Sequence, residues 1–480
     1  MRSQATRARA RTARDFADAL WASDRFPEAV ETLEQAITEI GEMDPELSTG
    51  LQAHLVAAGW LDRMKWSRVR AHLDGAAHLT GNTPAERLLL GMLALRRLLD
   101  GSPAAAVAEL AERAVAGSSF IDGLTPQAVN FPGIALYCCD KLERAEEAFS
   151  TRIAEGRDHG EIRAVAALLC WRAETRRRTG RLADAESDAR EAIAISQERD
   201  WSIAMPGTRG VLADTLIDQG DARTALAVLE GPHTPTDYWS WNVFLHARGR
   251  ALLVTGDPRA GLADLLDAGA RQQHWGPAAP ALLPWRSSAA SAHAALGNTE
   301  EALELAREEL ELARRFGAPR AIAIAIRALA AIEGGERSIE LMRQAAQIVE
   351  HSPAVLDLGA TLVELGSALR RTGQRKAARD PLRRGLDTAH RVGARALADR
   401  AQEELLATGA RPRRLVIAGA NALTPSERRV ARMAAEEMTN RQIAQALFVS
   451  QRTVETHLSH CYSKLNITTR AELREALHEP

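Results

Sequence analysis

Apolar residues recur along this chain every three or four positions for several helical turns at a time, and each such stretch stops at a glycine or a short polar turn. "RRRTGRLADAESDAREAI", "LIDQGDARTALAVLEG", "LLVTGDPRAGLADLL", "AALGNTEEALELAREEL" and "LRRTGQRKAARDPLRRGL" share one layout: helix, turn, helix. Aligned on the turn they fall in a series at Asp24, Arg63, Gly101, Asp140, Gly180, Gly220, Gly256, Gly297, Gly335 and Gly373, ten units 36 to 41 residues apart. The fifth residue after the turn is small in eight of them: Ala29, Ala106, Ala145, Ala185, Ala225, Gly261, Ala302 and Ala378. Two helices that cross closely need a small residue where their backbones meet, and a turn glycine supplies the positive φ that ends the first helix. The units at Arg63 and Gly335 are degenerate.

A helix pair of this kind cannot bury its apolar stripe alone, so the pattern predicts stacked pairs with a continuous core and a concave face. The array resembles a tetratricopeptide-type α-solenoid, which implies an all-α fold and a surface for an effector, either a protein or a small molecule. The densest aromatic patch, "DYWSWNVF" with Tyr238, Trp239, Trp241 and Phe244, is followed by Trp275 and Trp285. A recognition pocket and packing between helices are the two readings, and packing is the expectation. Cys138 and Cys139 beside Tyr137 are expected to be buried helix residues, and the basic start (Arg2, Arg7, Arg9, Arg11, Arg14) a frayed, solvated first helix.

The period calls for another turn near Gly409, but no second helix follows it. We therefore divide the chain into repeats over 1–408, a linker over 409–421 marked by Pro412 and Arg411, Arg413 and Arg414, and a small domain over 422–480. Residues 411–480 hold 11 basic and 7 acidic side chains, against 50 and 56 in the rest, so only this piece is cationic. Its helix starts are legible as capping boxes, in which the hydroxyl and the carboxylate or amide satisfy backbone N–H groups reciprocally: Thr424 with Glu427, Thr439 with Gln442, Thr469 with Glu472. Ser450 is a cap without a box partner. Helices are predicted over 425–436, 440–448, 451–465 and 470–478. At 100° per residue, Val454, Leu458, Cys461 and Leu465 share one face and should meet Val430, Met433, Ile443, Ala444 and Leu447. Arg452, Thr456, Ser459 and Ser463 fall opposite, flanked by Glu455 and His460, as in a helix offered to a major groove.

The stretch "LTPSERRVARMAAEEMTNRQIAQALFVSQRTVETHLSHCYSKLNITTRAEL" resembles the DNA-binding domain of LuxR-type transcription regulators. The resemblance implies a four-helix domain that binds promoter DNA as a homodimer through the helix around Ala471 to Leu477, with RNA polymerase as a further partner. It places Glu455, Thr456 and Ser459 at base edges. Arg452, Thr453, Lys464 and the helix starts at Thr439, Asn440 and Ser450 would hold phosphates. Glu437 stands where the family commonly has glycine; a left-handed residue there costs roughly 1 kcal/mol. The whole chain is similar to the C-terminal half of large ATP-binding LuxR regulators, yet it contains no GxxxxGK[ST] loop and no Gly-Lys dipeptide, so a truncated or ATPase-free member without ATP hydrolysis is expected.

Composition adds exclusions. With 46% apolar and 26% charged residues and a net charge of -2, the chain should fold, and no apolar run is long enough for a membrane span. No secretory signal opens it, and four cysteines without zinc spacing indicate reduced thiols in a cytoplasmic protein without cofactor or metal. No nucleophile with a base and no nucleotide loop emerges, so the expectation is not an enzyme. It is a sequence-specific regulator of transcription, an activator in the resembling group. The alternative is an interaction scaffold with a vestigial helix-turn-helix.

Overall fold

A computed structural model describes residues 2–477 apart from 24, 42, 61, 117–129, 200, 202–204, 232–236, 277–279, 411–422, 448 and 466. Ten helix pairs follow one another: α1 (Arg2–Ala22) with α2 (Phe26–Ile40), α3 (Pro45–Trp60) with α4 (Arg63–Val69), α5 (Pro84–Leu99) with α6 (Ala104–Val115), α7 (Asn130–Cys138) with α8 (Leu142–Asp158), and α9 (Ile162–Arg178) with α10 (Leu182–Glu198). The series continues with α11 (Met205–Gln219) and α12 (Ala222–Leu229), α13 (Trp239–Thr255) and α14 (Pro258–Gln272), α15 (Trp285–Ala295) and α16 (Thr299–Phe316), α17 (Pro319–Glu333) and α18 (Gly335–Val349), and α19 (Val355–Arg371) and α20 (Arg375–Val392). The helix α21 (Arg395–Ala407) ends the array. The described residues contain no strand, only an isolated bridge between Asp62 and Tyr238. No described helix is long and apolar enough to cross a membrane.

The small residue after the turn does what its position requires in most units. Ala29, Ala145, Ala185, Ala225, Ala302 and Ala378 are buried. At Gly261 an added Cβ would lie 2.7 Å from the carbonyl oxygen of Gly249, so α13 and α14 touch backbone to backbone. Ala106 departs from expectation. It is exposed, and its neighbour Val107 faces the core.

The stack also closes on itself. Trp66 Nε1 donates to the carbonyl of Trp275 at 2.9 Å, and Trp275 Nε1 to that of Trp60 at 2.8 Å, tying the second unit to the seventh. The Arg320 amide donates to Asp140 Oδ2 at 2.8 Å, tying the fourth to the ninth. Gly180 (φ 80°) lies so close to Val392 that an added Cβ would come within 2.4 Å, and Gly220 (φ 92°) meets Ala396 in the same way at 2.9 Å. Each contact joins a unit to the one five places on, so the superhelix encloses a lumen.

The aromatic patch packs as expected: Trp239, Trp241, Trp275 and Trp285 are buried, with Trp239 against Trp275 edge to face at 5.3 Å. Cys138 and Cys139 are buried too. The basic start is not a frayed helix, because α1 buries Ala10, Ala17, Leu20 and Trp21 while Arg7 pairs with Asp44 at 3.1 Å. Of the expected linker, residues 411–421 with Arg411, Pro412, Arg413 and Arg414 lie outside the described residues.

Candidate nucleic-acid interface

The C-terminal piece forms α22 (Pro425–Ala435), α23 (Asn440–Leu447), α24 (Gln451–Leu465) and a final short turn of helix, α25 (Leu473–Ala476). Thr424 and Glu427 make the predicted capping box, and Thr439 and Gln442 make the second, with the Gln442 amide donating to Thr439 Oγ1 at 3.3 Å and the Thr439 amide to Gln442 Oε1 at 2.8 Å. Ser450 caps α24 by accepting from the Thr453 amide at 3.1 Å. The third box does not form. Thr469 bonds Glu472 through its hydroxyl, a 3-10 turn spans Arg470–Glu472, and the fourth helix is shorter than the predicted 470–478.

The predicted core is present. Val430, Ile443, Ala444, Val454, Leu458, Cys461 and Leu465 are buried together, with Met433 and Leu447 packed against them. Burial pushes the Cys461 thiol up to about 12. Glu437 takes the left-handed conformation at φ 65° that glycine would take more cheaply. The turn between α22 and α23 therefore has the geometry that the sequence left in doubt.

Among the residues assigned to DNA, Arg452, Glu455, Thr456 and Ser459 come together on one side of α24, with Gln451 and His460 beside them. Thr456 Oγ1 donates to the Arg452 carbonyl at 3.0 Å, and Gln451 Nε2 to Glu455 Oε1 at 3.3 Å. Asn440 accepts from Arg470 Nη1 at 2.8 Å. Thr453 and Lys464, the other two, have partners within the domain. Thr453 is buried, its hydroxyl 2.8 Å from Ser450 Oγ. Lys464 donates from Nζ to the fully buried Glu427 at 2.7 Å, a structural ion pair.

The polar side of α24 is only partly covered: Gln451, Arg452, Glu455 and Ser459 stay exposed, Thr456 and His460 are half-buried and His457 is buried. It lies against α10 of the repeat array, and Glu186 and Arg190 of α10 form the opposite wall of the cleft that holds Gln451, Arg452, Glu455, Thr456, Ser459 and His460. His457 Nε2 is 3.0 Å from Asp184 Oδ1, both side chains no more than 7% exposed. Ser426 Oγ donates to Asp184 Oδ2 at 3.0 Å, and His460 Nε2 is 3.6 Å from Glu186. Burial drives the Asp184 carboxyl up, but the His457 contact and the charges of Arg181 and Arg176 outweigh it and hold it well below the usual carboxylate range. Burial lowers His460 despite Glu186 and Glu427 nearby. His457, Ser426, Asp184 and Glu186 form a contact between the C-terminal domain and α10 that the pattern of α24 alone does not reveal. On α10, Asp184, Glu186 and Asp188 are all buried.

The family described as bacterial regulatory proteins, luxR family, matches residues 421–476. Helix-turn-helix-type transcriptional regulators of Mycobacterium bovis and Mycobacterium tuberculosis are 51% identical over 55 residues, 12% of this chain and 6% of their own length. A Rap protein complexed with competence and sporulation factor shares the fold at a TM-score of 0.51 and 12% identity, over 83% of this chain and 99% of its own. The C-terminal domain is thus a LuxR-family helix-turn-helix, carried by a tetratricopeptide-like helical array.

Proposed function

We propose that this chain, with a LuxR-family helix-turn-helix as its C-terminal domain, is a sequence-specific DNA-binding regulator of transcription whose reading helix is withheld by its own repeat array. The observation that carries the reading is the placement of α24 on α10. A major groove is about 12 Å wide and an α-helix with its side chains about 10–12 Å across, so a groove admits α24 but not α24 with α10 beside it. Asp184 and Glu186 would moreover be carried towards phosphates. Reading DNA therefore requires the head to leave the array. Glu455, Thr456 and Ser459 then meet base edges, and Arg452 with the helix starts at Thr439, Asn440 and Ser450 hold the backbone. Thr453 supports the Ser450 cap, and Lys464 the α22 start. The released head acts as a homodimer on a promoter in the cytoplasm, the array receives an effector, and RNA polymerase is the partner through which activation proceeds.

The test is selection of bound duplexes from a random-sequence DNA library by the full chain and by Asp184→Ala. The variant should enrich one two-fold symmetric sequence and bind it with an apparent affinity about tenfold or more above that of the parent chain, because the docked fraction falls. If neither protein enriches any sequence, the DNA-reading role is lost. Equal affinities would remove the docked state from the account.

A further inference from the structure

The lumen closed by the superhelix contains a cavity of about 600 Å³, within the range of about 300–1,000 Å³ that small-molecule sites occupy. Its walls carry aromatic and aliphatic surface from Phe131, Ile134, Trp171, Trp201, Trp239 and Leu356. Its polar groups fall into two sets. Most satisfy one another: Glu174 accepts from Tyr137 Oη at 2.6 Å and from Arg177 twice at 2.7 Å, and Arg327 holds Glu364 at 3.0 and 3.2 Å. The second set is unpaired and buried: Arg178 Nε, Arg320 Nη1, Trp201 Nε1, Trp239 Nε1, Ser287 Oγ and Asn130 Oδ1 have no hydrogen-bond partner.

Four of those six atoms are N–H donors with nothing to accept them, and an unpaired buried donor forfeits the hydration it had in water with no bond in return. The two guanidinium groups are the sharper case. Arg178 is 2% and Arg320 5% exposed. Arg178 lies over the Tyr137 ring at 3.2 Å and donates to the carbonyls of Tyr137 and Ala281, while its nearest carboxylate, Glu174, is 3.7 Å from Nε and already engaged by Arg177. Arg320 spends Nε on Asp357 at 2.8 Å, and only its backbone amide on Asp140. Burial and the neighbouring Arg320 lower Arg178, whereas Asp357 raises Arg320, so Arg178 is the guanidinium without a carboxylate of its own. Of the six arginines in the walls Arg400 is exposed, and the other five face five carboxylates. His246 adds no charge, since burial, Arg250 and Arg177 push it down to about 3.

We infer that the cavity binds a small organic monoanion, a carboxylate on an apolar body, with the carboxylate between Arg178 and Arg320 and the body against the indoles and aliphatic side chains of the lumen. Acceptor oxygens meet the orphaned N–H groups. The helix that supplies Arg177, Arg178 and Glu174 is α9, and its partner in the same unit, α10, holds Asp184 and Glu186 against the reading helix. Occupancy thus acts on the hairpin that docks the head; this signalling step rests on the reading of α24 as a withheld DNA helix, whereas the site itself does not.

Calorimetric titration of the full chain with two matched sets decides the point: octanoate, octanol and octylamine, and 3-phenylpropionate with its alcohol and its amine. At least one carboxylate should bind about tenfold or more tightly than its alcohol and amine, since hydrogen bonds to charged groups exceed neutral ones by that order. Arg320→Gln should lose that preference and Arg320→Lys keep part of it, with the melting temperature reporting that each folds. If Arg320→Gln does not fold, Trp239→Phe, which removes only the indole N–H edge, carries the test through a loss of carboxylate affinity. Carboxylates that bind no better than alcohols, or an affinity indifferent to these substitutions, overturn the site. Tight binding with unchanged DNA affinity leaves the site standing and removes its signalling role; no binding, with Asp184→Ala still gaining DNA affinity, removes the site and leaves the withheld helix.

Discussion

Glu309 is 1% exposed, and its nearest cation, Arg286 Nη1, stands 3.7 Å away, too far for a hydrogen bond. Burial pushes its carboxyl up to about 8. The folded protein therefore keeps this proton to a higher pH than the unfolded chain does, and the stability it contributes is complete below the ordinary carboxyl range and lost as pH rises through about 8. Glu309→Gln should melt near the parent temperature at pH 5 and above it at pH 9. Parallel melts that stay offset by the same amount at both pH values would refute this. The same scale shows what local sequence cannot carry. The acid that meets His457 is Asp184, in a different domain, and nothing in the residues around either one announces the other. Lys464, which the family pattern places at a phosphate, lies against the capping carboxylate of the fully buried Glu427, a contact the pattern does not carry.

Between elements, close approach is the deciding quantity. An added Cβ at Gly249 would lie 2.6 Å from Leu265 Cγ and 2.9 Å from the Gly261 carbonyl oxygen, and the latter is backbone that cannot swing aside. Gly249→Ala should cost about 1–3 kcal/mol of unfolding free energy, as overpacked cores do, measured by urea titration. A change under about 0.5 kcal/mol would mean that α13 and α14 separate freely. Helix pairing of this sort was legible in the sequence because each turn and its small residue repeat within one unit. The capping boxes at Thr424 and Thr439 were legible for the same reason: three residues contain the whole interaction. At Thr469 the same letters gave a 3-10 turn, since Arg470 is drawn to Asn440 and to the Met438 carbonyl across the domain. The polar face of α24 was legible as a face, while its neighbour α10 was not, because periodicity reports which side of a helix is polar and not what stands beside it.

At the scale of the whole molecule, the proposed function implies two conformations, head docked and head free, and the contacts that hold the docked head are polar: Asp184 with His457, Glu186 with His460, Ser426 with Asp184. Small-angle scattering should show a larger radius of gyration for Asp184→Ala than for the parent chain, and identical curves would mean that this carboxylate does not hold the head. The closed superhelix has a consequence of another kind. Open arrays lengthen and shorten by whole units, because every unit meets only its neighbours. Here Trp66 reaches Trp275, Asp140 reaches Arg320, and Gly180 gives room to Val392, so these units are matched to fixed distant units. Deleting or duplicating a single repeat would put every later unit opposite the wrong partner, a frame error in three dimensions. Repeat number in this chain is therefore a specification, as fixed as the length of a strand in a closed barrel.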